Sequence, residues 1–312
     1  VDKATKLETI YNRIHEVRMR FEVLKRDAVI DYLQGVLAEE QSEAELKAAL
    51  DARLARLDDD FAFIAQCNVG GEFMAPERIE RMKGIAETTW TRTIDDTLGL
   101  SIDEMRRRHG EQPKPPVEEK LLADKDWHII PHEVAFDLSQ YDAEGFSMRP
   151  CAQKYNLGEI YNLSIGRGTL TAEDRFKINE HITQTILMLK ALPFPKNLTR
   201  VPEWAGGHHE KMDGTGYPKG LKRAQMSEPA RMMAIADIFE ALTAADRPYK
   251  KPKTLSESLK IMSFMVKDQH IDPDLWVLFL ESGVWKQYAD QYLKPEQVDA
   301  VDIGQYLPKA AE

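Results

Sequence analysis

Cysteine is almost absent. Cys67 and Cys151 are the only two in 312 residues, too few for a disulfide framework or a thiolate zinc site, and a pair that fits a reducing compartment. Long apolar runs are missing as well: no stretch reaches the roughly 18 apolar residues of a membrane-crossing helix, and no charged segment leading into an apolar one marks a secretory signal. Positive charge is in deficit. The 42 basic residues against 52 acidic ones leave a net charge of -10, which argues against a general nucleic-acid or membrane-surface partner and requires any phosphate ligand to be met locally. These absences lead to the expectation of a cytoplasmic module. Because the first residue is Val1 rather than Met, the further expectation is a segment of a longer polypeptide with a sensor upstream.

What is present is mostly helical pattern, and the fold class expected is all-α. Leu7, Ile10, Ile14, Val17, Phe21 and Leu24 alternate spacings of three and four, as a heptad seam requires. Residues 1–34 therefore read as a coiled-coil-like helix that either docks on its own domain or pairs two chains as a homodimer and carries an upstream signal. Residues 35–312 read as one helical domain. From Asp27 to Met105 the pattern stays helical, including a run from Ile79 through Trp90 to Leu98, broken at Gly70-Gly71 and at Gly99, with Ser101 and Glu104 set as a capping box. Residues 109–150, with Pro113, Pro115, Pro116, Pro131 and Pro150, read as an irregular insertion. Helical pattern returns over Ala172–Lys190, with an apolar face of Ile178, Ile182, Ile186 and Leu189, and again over Ala230–Ala244, Leu255–Lys267 and Pro273–Glu281.

The densest chemistry lies in His208-His209-Glu210-Lys211-Met212-Asp213-Gly214-Thr215-Gly216-Tyr217-Pro218-Lys219-Gly220. Adjacent histidines cannot share the buried stripe of a helix, since successive side chains diverge by about 100°. Two imidazoles side by side point instead to a metal. His181, on the Ala172 helix, and Asp237, within Met232-Met233-Ala234-Ile235-Ala236-Asp237-Ile238-Phe239, are candidates to complete the site; a carboxylate buried in such an apolar helix is costly without a cation. Nitrogen and oxygen donors suit iron, manganese or zinc, and such metals activate water and clamp phosphoryl oxygens. Arg247, Tyr249 and Lys250 follow the Asp237 helix and offer phosphate donors. His208, His209 and Asp237 are thus the candidate catalytic groups.

The segments HHEKMDGTGYPKG and ARMMAIADIFEALTAADRPYK resemble the HD-GYP family of bacterial cyclic-di-GMP phosphodiesterases, most clearly over residues 155–285. The resemblance implies an HD-type helical domain with a GYP extension and a two- or three-metal centre, often iron or manganese, of which one or two ions are expected in this chain. It implies His181, His208, His209, Asp237 and Glu72 as metal ligands, and Tyr217, Arg247 and Lys250 against a cyclic-di-GMP or related phosphodiester. One segment departs from the pattern. Where the family carries an HDIGK-like sequence this chain has Tyr155-Asn156-Leu157-Gly158-Glu159, so Tyr155 replaces a histidine ligand, Asn156 a bridging aspartate and Glu159 a phosphate-binding lysine. His128 and His132 are candidate replacements, although Pro131 between them opposes a regular helical pair. Hydrolysis with a reduced metal centre is one expectation, and a receptor or protein-binding module without turnover is the other.

Overall fold

In the computed structural model, residues 12–39, 41–110, 112–244 and 252–307 are described. Among them, twelve helices and four short strands run in the order α1 (Ile14–Ala38), α2 (Glu43–Val69), α3 (Pro76–Ala86), β1 (Thr89–Arg92), α4 (Ile102–Arg107), β2 (Val117–Lys120), β3 (Ile129–Ile130), α5 (Leu138–Glu144), β4 (Tyr155–Asn156), α6 (Glu159–Leu163), α7 (Ala172–Lys190), α8 (Val201–Gly206), α9 (Glu228–Thr243), α10 (Leu255–Lys267), α11 (Pro273–Glu281) and α12 (Val284–Tyr292). The fold is all-α, with two two-stranded antiparallel ribbons, β1-β2 and β3-β4. No helix among the described residues is long and apolar enough to cross a membrane. The chain forms two compact units, Val1–Ala135 with Pro150–Ile178, and Phe136–Arg149 with Asn179–Glu312.

The first unit is built on α1 and α2. Val17, Phe21 and Leu24 of the heptad seam are buried with Leu57, Ile64 and Cys67 of α2 and Met82 and Ile85 of α3. The described part of the seam is therefore covered by the chain's own core, as in the docked alternative; Leu7 and Ile10 lie outside the described residues. α2 starts at a Ser42/Glu45 capping box and stops at Gly70, whose φ of 73° suits glycine. The capping box of Ser101 and Glu104 forms as expected and opens α4. The helix expected to run through Trp90 does not form. It ends at Ala86, and Thr89–Arg92 pairs with Val117–Lys120, with Trp90 opposite Glu119, because threonine and tryptophan favour a pleated surface.

Residues 109–150 are also more structured than the proline content suggests. They supply β2, β3 and α5, and Leu121 and Leu122 are fully buried in the first core. Short elements joined by proline turns bury apolar pairs without showing any periodicity. Glu159, 8% exposed, accepts hydrogen bonds from Arg20 at 3.0 Å and from the Ala123 N–H at 2.9 Å. Arg13 donates to the Leu157 carbonyl at 2.6 Å. Arg13, just ahead of α1, and Arg20 within it thus hold the Leu157–Glu159 segment at two points.

The second unit has two cores. Trp276, Leu259, Met262, Ile271 and Leu280 join α9, α10, α11 and α12, while Tyr141, Phe146, Ile182 and Ile186 pack under α7. Of the apolar face expected on α7, Ile182 and Ile186 are buried and Ile178 is exposed. Asp272 is fully buried. It caps α11 through the N–H groups of Asp274 and Leu275 and accepts from Arg223 and from Arg231 of α9, so the helix that carries Asp237 is clamped at its first turn.

Candidate metal centre

All the geometry of the centre belongs to the second unit. Ile182 and Ile186 anchor α7 in the core, and His181, one residue from Ile182 and so about 100° around the helix, is exposed. His208 and His209 lie in the turn that follows α8. Two glycines bring that turn in close: a Cβ on Gly206 would sit 2.6 Å from Ile186 Cγ1 of α7, and one on Gly207 would sit 2.7 Å from Ala230 Cβ of α9. Any side chain there would wedge the turn away from both helices. As built, the imidazoles of His181, His208 and His209 each offer a nitrogen, and the three nitrogens lie within 4.8 Å of one another.

His181 Nε2 and His209 Nε2 lie 3.1 Å apart. Two nitrogens bound to one ion at about 2.0–2.1 Å are separated by roughly 2.8 Å in octahedral and 3.4 Å in tetrahedral geometry, so this pair has the bite of a chelate. His208 Nδ1 lies 2.7 Å from the Ala205 carbonyl. An acceptor there places the proton on Nδ1 and leaves the Nε2 lone pair free for a metal. His209 is driven down to about 4, first by burial and then by the neighbouring His208 and His181. It is therefore neutral at pH 7, the form a metal ligand requires. Three imidazole nitrogens in this arrangement fit a divalent transition ion.

Asp237 is exposed rather than buried, which corrects the expectation that an apolar helix forces it inside. Met232 and Met233 are themselves 45% and 40% exposed, so α9 carries apolar residues on its open side too. The Asp237 carboxylate is not among the mutually close donors, yet it acts on them: it opposes the depression of His209 and adds to burial in raising the Tyr217 hydroxyl. Tyr217 stacks on His209, with ring centroids 4.8 Å apart and planes 20° from parallel.

The remaining candidates fall elsewhere. Glu72 is an exposed residue of the first unit, its carbonyl accepting the Gly168 N–H at 3.1 Å. Arg247 and Lys250 lie outside the described residues. Tyr155 and Asn156 form β4 against β3 in the first unit, and Asn156 Oδ1 accepts the Gly158 N–H at 2.9 Å. His128 Nδ1 accepts the Lys125 N–H at 3.2 Å, and His132 Nε2 lies 3.0 Å from the Cys151 carbonyl, so both histidines are engaged locally within their own unit. Two groups escape sequence reading. Glu210, 1% exposed, accepts the N–H groups of Lys219 and Leu221 at 2.7 and 2.8 Å, and Asp272 clamps α9; a glutamate directly after paired histidines and an aspartate before Pro273 were the only signals of either.

The HD domain family matches residues 116–275, about half of the chain and all of the three-histidine cluster. The chain belongs to the HD-domain family. Among curated relatives, 3′3′-cGAMP-specific phosphodiesterase 1 of Vibrio cholerae is 39% identical over 116 residues, 37% of this chain and 26% of the relative. The 3′3′-cGAMP-specific phosphodiesterase 2 of the same organism is 26% identical over 275 residues, 86% of this chain and 48% of the relative. A cyclic di-GMP phosphodiesterase of Thermotoga maritima is 32% identical over 137 residues, 44% of this chain and 36% of the relative. The match covers less than half the length of each of these. Together with the GYP loop, they place this HD domain in the HD-GYP group.

Proposed function

We propose that this HD domain is a metal-dependent phosphodiesterase module that hydrolyses a 3′,3′-linked cyclic dinucleotide, either cyclic di-GMP or 3′3′-cGAMP. The observation that carries the reading is the convergence of His181, His208 and His209 from separate segments of the second unit onto one point. In this reading the three imidazoles hold one ion, iron or manganese, with Asp237 beside them. The bound ion supplies Lewis acidity toward a phosphoryl oxygen and acidifies a water. Neutral imidazoles leave the charge of the ion undiminished for a phosphodiester. Arg247 and Lys250 add the local cations that a chain of net charge -10 otherwise lacks. The names of the relatives support the substrate class, and the one matching 86% of this chain is named for 3′3′-cGAMP. The module works in the cytoplasm as the output of a longer sensor polypeptide.

Protein purified without chelator or oxygen, measured by elemental mass spectrometry and then incubated with each dinucleotide, tests the reading. The expected result is about one transition metal per chain and a linear dinucleotide product. A metal ratio near zero, with no turnover after addition of Fe2+ or Mn2+, would overturn it. Metal and dinucleotide binding without product would leave a receptor.

A further inference from the structure

We propose that Tyr217 is a positioning residue of the metal centre: its ring, stacked on His209, sets the plane of that imidazole and so the direction in which Nε2 points. The inference rests on the metal reading above and gives Tyr217 a role other than contact with substrate.

The two adjacent histidines are aimed in different ways. His208 is fixed by its Nδ1 contact to the Ala205 carbonyl at 2.7 Å, the usual device by which an outer acceptor orients a metal-binding imidazole. His209 has no counterpart. Among the described residues its ring is hydrogen-bonded only through Nε2, the atom turned toward His181. The outer torsion of histidine is broad, so a ring held at one atom is free to swing. Three rings limit the swing: His208 at 4.2 Å and 45° and His181 at 5.0 Å and 88° pack against it at an angle, and Tyr217 alone lies flat on it, at 4.8 Å and 20°, within the range of favourable aromatic stacking.

Tyr217 is itself held on both sides. Its N–H donates to the His209 carbonyl at 3.2 Å, so the loop folds back on the residue it covers. Directly after the cis Tyr217-Pro218 bond, the Ser147 N–H donates to the Pro218 carbonyl at 2.7 Å, and buried Glu210 takes the N–H groups of Lys219 and Leu221. Just before Tyr217, a Cβ on Gly216 would stand 2.4 Å from the Lys211 nitrogen and 2.5 Å from Glu210 Cα. That close approach seats the tyrosine against the histidine turn. The Glu210 carboxylate, adjacent in sequence to His209, thereby locks the loop that presents the ring.

The test is Co2+ titration of the metal-free protein, followed by visible absorbance, for the parent, Tyr217→Phe and Tyr217→Leu. Phenylalanine keeps the flat ring and is expected to bind within about twofold of the parent. Leucine keeps bulk without a plane and is expected to bind roughly 10–100-fold more weakly, the usual cost of removing an outer-shell orienting group, with a changed band shape. Parent-like binding by Tyr217→Leu overturns the proposal, and so does equal weakening in Tyr217→Phe, which would assign the effect to the hydroxyl. If Tyr217→Leu lacks the metal-free melting transition, Tyr217→Met takes its place with the same outcomes. A parent that takes up no Co2+ brings down the metal reading and this inference together, whereas a binding parent with an unaltered leucine variant overturns this inference alone.

Discussion

His208 illustrates how little of a site needs to lie close in sequence for it to be found. Its neighbour His209 made the pair visible, but the Ala205 carbonyl that fixes its ring and the glycine contacts that bring it to α7 and α9 are products of folding. Replacing His208 by alanine removes one of three converging donors; we expect metal affinity to fall by roughly tenfold or more and the metal-dependent part of the melting temperature to fall with it. Metal content equal to that of the parent would remove His208 from the ligand set. Asp237 shows the opposite limit. Its apolar neighbours in sequence suggested burial, and the actual exposure followed from which side of α9 faces the core at Ala234, Ile235 and Phe239, a matter decided by α10 and α11.

At the scale of elements, caps and periodicity were reliable guides. Ala172–Lys190, Leu255–Lys267 and Pro273–Glu281 form over the expected residues, the second opened by a Thr254/Glu257 capping box and the third by Asp272 with Pro273 behind it. Pairings between distant segments were not legible: β1 meets β2 across an intervening helix, and Glu159 meets an arginine of α1. Glu159 is the instructive case. Where the HD-GYP pattern has a phosphate-binding lysine, this glutamate serves as the buried partner of Arg20, which keeps its carboxyl below the usual range even though burial pushes the other way. Restoring the family residue with Glu159→Lys would therefore set an ammonium against Arg20 and Arg13. The expected result is a loss of roughly 3–5 kcal/mol from the first unit, the cost of breaking a buried ion pair, read as a drop in urea midpoint. A stability equal to the parent would mean that the Arg20 contact is dispensable.

For the whole molecule, each unit carries a histidine whose burial resists protonation: His128 in the first and His209 in the second, both pushed down to about 4 from the ordinary value of 6.5. These two imidazoles then bind fewer protons in the folded than in the unfolded chain between about pH 6.5 and pH 4, and the stability they contribute is lost as the pH falls through that window. Metal-free protein should accordingly show a lower urea midpoint at pH 5 than at pH 7.5, with these imidazoles taking up protons on unfolding near pH 5. A flat profile over that range would show that both imidazoles charge freely in the folded state.

The division into units also sets where a metal should be felt. His181, His208, His209, Tyr217 and the Glu210-locked loop all belong to the second unit, whereas α1, α2 and α3 are built on a separate core. An ion that binds only the folded arrangement stabilises what it touches, so removing it with chelator should raise amide exchange over residues 205–221 and around His181 and leave the α1–α2 core unchanged. Glu72, a ligand the sequence resemblance implied, belongs to the first unit. Its backbone carbonyl already holds the Gly168 N–H, and its side chain is exposed. Exchange that rises around residues 70–74 on chelation would establish Glu72 as a ligand. Exchange confined to the second unit would make the centre a three-histidine site assisted by Asp237.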